Sequence, residues 1–177
     1  MEHFAMRLTE QNGHVVSVFC DDERPDTHLS GFIRAFDEEQ ILINHISPDG
    51  YYDGYILIHM ADVHRIDSSG KYELKIERLY QCRHQSHTEF PINDNLYISL
   101  LQFCQREGRI LSAEVADTTL SGFLLDFDEE TVHMQLVSEY GEENGETIVR
   151  SEEIVSFAVD TMTEQNMLLL YEQNHRE

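Results

Sequence analysis

The residues best equipped for chemistry lie near the middle of the chain. Cys82, His84 and His87 stand together in the run CRHQSH, and a thiolate with two imidazoles is a set that suits zinc. A structural zinc site needs a fourth ligand at comparable spacing, and none stands nearby, so the plainer reading is a polar connecting segment. His59 and His64 flank a predicted hairpin turn. Their odd separation places them on opposite strands, as a ligand pair or as ordinary exposed histidines.

Two acidic clusters come next, Asp37-Glu38-Glu39 and Asp128-Glu129-Glu130. Acid–base catalysis needs two carboxyls whose surroundings push their pKa values apart, and a solvated turn offers no such contrast. Asp at a tight turn has a structural use, because its carboxylate accepts bonds from nearby backbone N–H groups. Ser30 and Ser121 sit in predicted strands with no His or Asp at a triad-like position, so they read as small residues beside a bend. No phosphate-cradling glycine loop, nucleophile elbow or metalloprotease helix is written in the chain. The expectation is a non-enzymatic protein with no cofactor.

The elements that hold these residues occur twice. Laying residues 28–67 on 119–158 without a gap gives eleven identities in forty positions. Unrelated segments of average composition would share roughly two or three. The identities include Gly31/Gly122, Phe32/Phe123, Asp37/Asp128, Gly50/Gly141 and Gly54/Gly145. An internal repeat of this kind outranks any local reading.

Each copy parses alike. Leu29–Phe36 is a strand, 37–39 a turn, and 41–46 a second strand. Ser47-Pro48-Asp49-Gly50 reads as a β-turn. Strands over 55–59 and 63–66 follow, joined at Ala61-Asp62. Gly31 and Gly122 mark a bulge or bend that curls the sheet. Phe32 and Phe123 beside them are expected core anchors. Before the repeat come a helix over 2–11, a strand over 15–19 and a polar loop over 20–27; after it comes a helix over 71–81. The second copy has a helix over 96–106 capped by Asn93 or Asp94, a strand over 110–115 and a helix over 161–173. The domains are thus 1–91 and 92–177, each helix, bent five-stranded sheet, helix. The polar run 83–93 is the expected exposed connection.

Charge narrows the partners. Twelve basic residues stand against thirty-four acidic ones, a formal charge of −22. Residues 1–91 hold 8 basic and 16 acidic side chains, and 92–177 hold 4 and 18. Such a surface repels phosphate backbones, so nucleic acid is not expected to bind; a protein partner is, and a basic one would match the charge. No apolar run is long enough to span a membrane, and the N-terminus lacks the basic start and apolar core of a signal peptide. Three sparse cysteines fit a reducing cytoplasm.

LSGFIRAFD and LSGFLLDFD resemble the second-strand pattern of the Sm-like small barrels, and DGYILIHMADVHRI and NGETIVRSEEIVSF resemble their fourth and fifth strands. The segment GYYDGYILIHMADVHRI is also similar to barrels appended to bacterial transcription regulators and to bacterial proteins of unknown function. The resemblance implies a mainly β fold with flanking helices: two tandem Sm-like, SH3-like five-stranded antiparallel barrels forming an intramolecular pseudo-dimer. RNA-binding members carry an Asn four residues after the Asp, where this chain has Ile41 and Val132. The expected function is therefore an interaction or regulatory module, with a divergent RNA-binding Sm-like protein as the alternative.

Overall fold

The computed structural model describes residues 2–21, 23–24 and 26–176. Asp22 and Pro25, part of the expected polar loop, lie outside the described residues. The chain divides into two compact units, Met1–Glu89 and Phe90–Glu177. Among the described residues no helix is long and apolar enough to cross a membrane.

The first unit runs α1 (Glu2–Glu10), β1 (Val15–Phe19), β2 (Leu29–Phe36), β3 (Gln40–Ile46), β4 (Tyr52–His59), β5 (Arg65–Ser68) and α2 (Lys71–Cys82). The second runs α3 (Leu96–Arg106), β6 (Leu111–Val115), β7 (Thr118–Phe127), β8 (Thr131–Val137), β9 (Glu143–Arg150), β10 (Ile154–Val159) and α4 (Met162–Asn174). Asn95, rather than Asn93 or Asp94, caps α3: its Oδ1 accepts from the Ile98 N–H at 3.1 Å. Asn93 instead donates its backbone N–H to Ser99 Oγ at 2.8 Å.

The strands are antiparallel and lie in open order, β5-β1-β2-β3-β4 in the first unit and β10-β6-β7-β8-β9 in the second. This corrects the expectation of two closed barrels. A three-residue 3₁₀ turn, Met60–Asp62 or Ser151–Glu153, swings the chain from one end of this order to the other. Among the described residues the two end strands of a unit therefore do not pair, and closure requires that they do, with matched tilt and register. Helices remove the need to close. Leu8 of α1 packs with Val16, Val18, Ile41 and Ile43, while Ile76 and Tyr80 of α2 pack with Val15 and Ile46. In the second unit Met167 of α4 packs with Ile110 and Val137, and α3 packs against β7. A sheet with helices on both faces buries its apolar residues without curling shut.

The repeat keeps its register. Gly31 faces His45 and Gly122 faces Leu136; Gln40 faces His59 and Thr131 faces Arg150. Both copies slip at the same places, one register shift at Arg34 or Leu125 and a second at His45 or Leu136. The glycines expected to mark the bend lie three residues before the first of these. Their role is close approach: a Cβ on Gly31 would stand 2.1 Å from the Asn44 carbonyl oxygen, and one on Gly122 2.0 Å from that of Gln135. Gly50 and Gly141 have φ of 77° and 74° and lie against α2 and α4, so their turns need glycine twice over. Phe32 and Phe123 are half-buried under α2 and α4, stacking edge-on with Tyr80 and Tyr171.

Candidate functional site

The acidic turns are built first by their own backbone. Asp37 Oδ1 accepts from the N–H groups of Glu39 and Gln40 at 2.8 and 2.7 Å. Asp128 Oδ1 accepts from those of Glu130 and Thr131 at the same distances. These donors favour the charged carboxylate and hold Asp128 below its ordinary range. Each Asp is thus a turn former, and Glu38, Glu39, Glu129 and Glu130 stand exposed around it.

In the second unit this turn borders a concavity. Glu129, Glu130, Thr131, Arg150 and Glu152 line an open hollow of about 440 Å³. Arg150 reaches Glu152 at 3.5 Å, leaving three carboxylates and one cation on the wall. The hollow lies beside β9, the last strand of its sheet order. Along β9, Glu146 pairs with His133 at 2.8 Å, and Glu143 accepts from the Tyr171 hydroxyl at 3.2 Å. Ile148 is 70 % exposed, whereas its repeat counterpart Leu57 is 1 % exposed. The same strand position is buried in one unit and bare in the other.

Ser30 and Ser121 lead to a second, duplicated feature. Each faces a serine of the neighbouring strand, Ser17 and Ser112. Ser17 donates to Glu73 Oε1 at 2.6 Å, and Ser112 donates to Glu164 Oε1 at 2.5 Å. Glu73 and Glu164 are 6 % and 3 % exposed. Ser112 gives its proton to Glu164, so Ser121 donates to Ser112 at 2.8 Å. Both glutamates occupy the third position of the helix following the sheet. Glu164 Oε2 also accepts from the Thr161 N–H at 2.9 Å and from the Thr161 hydroxyl, closing a capping box. In the first copy Gly70 holds the cap, and the Glu73 carboxylate fills the room a side chain there would need. The network clamps each C-terminal helix to its sheet.

His87 solves a problem set by the bulge at His45. Its Nε2 lies 2.9 Å from the His45 carbonyl and 3.0 Å from that of Gly54. Carbonyls only accept, so Nε2 carries the hydrogen and Nδ1 accepts from the Tyr80 hydroxyl at 2.7 Å. The ring packs against Tyr52, Tyr55 and Tyr80. Burial disfavours its charged form and pushes its pKa down to about 4. In the second unit the equivalent carbonyls, of Leu136 and Gly145, receive the side-chain amide of Gln135 at 3.4 and 2.8 Å. Asn44, the counterpart of Gln135, is one methylene shorter, and its buried Oδ1 has no hydrogen-bond partner among the described residues.

The expected ligand trio is therefore dispersed. Cys82 and His84 are exposed, while His87 turns inward. Among the described residues no group of three His, Cys, Asp or Glu side chains gathers to hold a metal. His59 ends β4, and the backbone N–H of His64 donates to the Phe19 carbonyl at 3.1 Å. The expected exposed connection is exposed at Arg83, His84, Ser86, Thr88, Glu89, Pro91 and Asn93, and it is anchored between them: the Tyr52 N–H donates to Gln85, the Tyr55 hydroxyl donates to the Thr88 carbonyl, and Phe90 stacks on Phe103. Cys104 is buried, and burial pushes its thiol up to about 12, far from a reactive thiolate. The sequence reading missed Glu73 and Glu164, although Thr161-Met162-Thr163-Glu164 carries a capping-box spacing. The chain matches no protein-family model, no curated protein and no solved structure.

Proposed function

We propose that this protein is a cytoplasmic, non-enzymatic interaction module whose partner is a basic protein segment. The observation that carries the reading is the placement of acid. Glu129, Glu130 and Glu152 surround an open concavity beside an edge strand, with Glu143 and Glu146 along that strand, and all are exposed. A concentrated negative field of this kind steers cations towards it and discourages phosphate backbones. Support also comes from the residues that first suggested chemistry. Asp37, Asp128, His87, Ser30 and Ser121 each make structural hydrogen bonds.

The test is a pair of fluorescence-anisotropy titrations of the full chain at physiological salt, one with a labelled Lys-rich peptide and one with single-stranded RNA of similar length. Saturable peptide binding that weakens as salt rises, with no response to RNA, is the expected outcome. RNA binding at micromolar or tighter affinity would replace this reading with a nucleic-acid one.

A further inference from the structure

We infer that the free edge of β9 receives an extended basic segment as an added antiparallel or parallel strand; this rests on the basic-partner reading above. The edge itself comes from the topology, since among the described residues β9 pairs only with β8 and ends the strand order. Its outward groups follow from the ladder. The Ser151 N–H donates to the Glu130 carbonyl at 2.8 Å, the pairing that continues the Thr131–Arg150 register by one residue. In an antiparallel ladder hydrogen-bonded and non-hydrogen-bonded pairs alternate. Counting back, the backbone N–H and C=O groups of Arg150, Ile148 and Glu146 point away from β8. These three residues are exposed.

An unpaired row of this kind is a template for strand addition, and natural proteins usually blunt it with Lys, Pro or a covering element. β9 carries no Lys or Pro. It carries exposed Ile148, which offers apolar contact to an alternate side chain of an incoming strand. Charge selects the occupant. Glu146 on the strand and Glu129, Glu130 and Glu152 in the adjoining hollow face any segment laid there. A second copy of this chain brings a formal charge of −22 with it and is repelled. Glu146, Ile148 and Arg150 share one face of the strand, so a segment that carries both Lys or Arg and apolar residues among its every-second positions satisfies backbone, Ile148 and carboxylates together.

The probe is a fluorescein-labelled decapeptide of repeating Lys-Lys-Val-Val, titrated into the full chain, beside the same peptide N-methylated at every residue. N-methylation leaves the charge intact but removes the donors on both edges. The parent peptide should bind with affinity falling steeply as salt rises, and the N-methylated peptide should bind at least about tenfold more weakly. Ile148→Pro should show the same loss; its N–H faces outward, so the ladder to β8 keeps its bonds. If that variant does not fold, the two peptides on the native chain still decide. Equal binding of both peptides would overturn strand addition while leaving the basic-partner reading standing. No binding of either would end both. Sedimentation showing that the chain self-associates through this edge, abolished by Ile148→Pro, would make a second copy the occupant and overturn the inference.

Discussion

At the scale of single residues, buried polar groups in this chain are donors and acceptors placed where the backbone needs them. His87 is the sharpest case, because its hydrogen-bonding role requires the neutral ring. The folded pKa of about 4 lies below the ordinary 6.5, so the unfolded chain takes the proton first as pH falls. Stability from this residue is therefore present above about pH 6.5 and is lost progressively towards pH 4. The full span corresponds to about 3 kcal/mol. The surrounding groups are Tyr52, Tyr55, Tyr80 and the His45–Asp53 pair at 3.1 Å. Urea unfolding at several pH values should show this slope in the native chain, and His87→Gln should flatten it. An unchanged slope would show that His45 or the carboxylates set it instead. Glu164 gives a second residue-scale prediction. Glu164→Ala removes the acceptor shared by the Ser112 hydroxyl and the Thr161 N–H and opens the capping box, and should cost about 2–4 kcal/mol. Glu73→Ala should cost less, because Gly70 has no side chain to leave unbonded.

At the scale of elements, the repeated strand pair β2–β3 and its copy β7–β8 are held by close backbone approach. Gly122→Ala should cost more than about 2 kcal/mol, because the methyl group meets a carbonyl that belongs to the ladder. Gly108→Ala is the control: φ there is 61° and nothing stands within 4 Å, so only about 1 kcal/mol of backbone strain is expected. Thermal unfolding of the two variants separates crowding from strain. Equal losses would mean that the sheet yields at Gly122. The same comparison explains why the bend glycines and the register shifts fall at different residues. The shift at Arg34 or Leu125 comes from an extra residue in the strand, while the glycine admits its neighbour.

At the scale of the whole molecule, the dominant quantity is the excess of acid. A formal charge of −22 places many like charges within one Debye length, about 10 Å at 0.1 M salt. Self-repulsion opposes the folded state more than the expanded one. The melting temperature should therefore rise by a few degrees between about 20 and 200 mM sodium chloride, while affinity for a Lys-rich peptide falls over the same range. Calorimetry and anisotropy on one preparation check both signs. A melting temperature that falls with salt would show that ion pairs such as Arg34–Glu89, at 2.6 Å, outweigh the repulsion.

The features that residues a few positions apart can specify were determined by the sequence alone. The Asp37 and Asp128 turns, the apolar and aromatic strands β2 and β7 and the ungapped pairing of the two copies all depend on sequence spacing. A slip of one residue would turn every side chain to the wrong face, so the pattern carries its own register. Tertiary structure decided the rest. Whether the strands close into a barrel depends on where the chain goes after a three-residue turn, and on helices that cover both faces. The role of His87 depends on carbonyls 42 and 33 residues away, and that of Glu73 on a serine 56 residues away. A carboxylate in a helix and an imidazole in a polar run look like solvated surface until folding brings buried donors and acceptors to them. At that point the cost of leaving those groups unbonded fixes what each residue does.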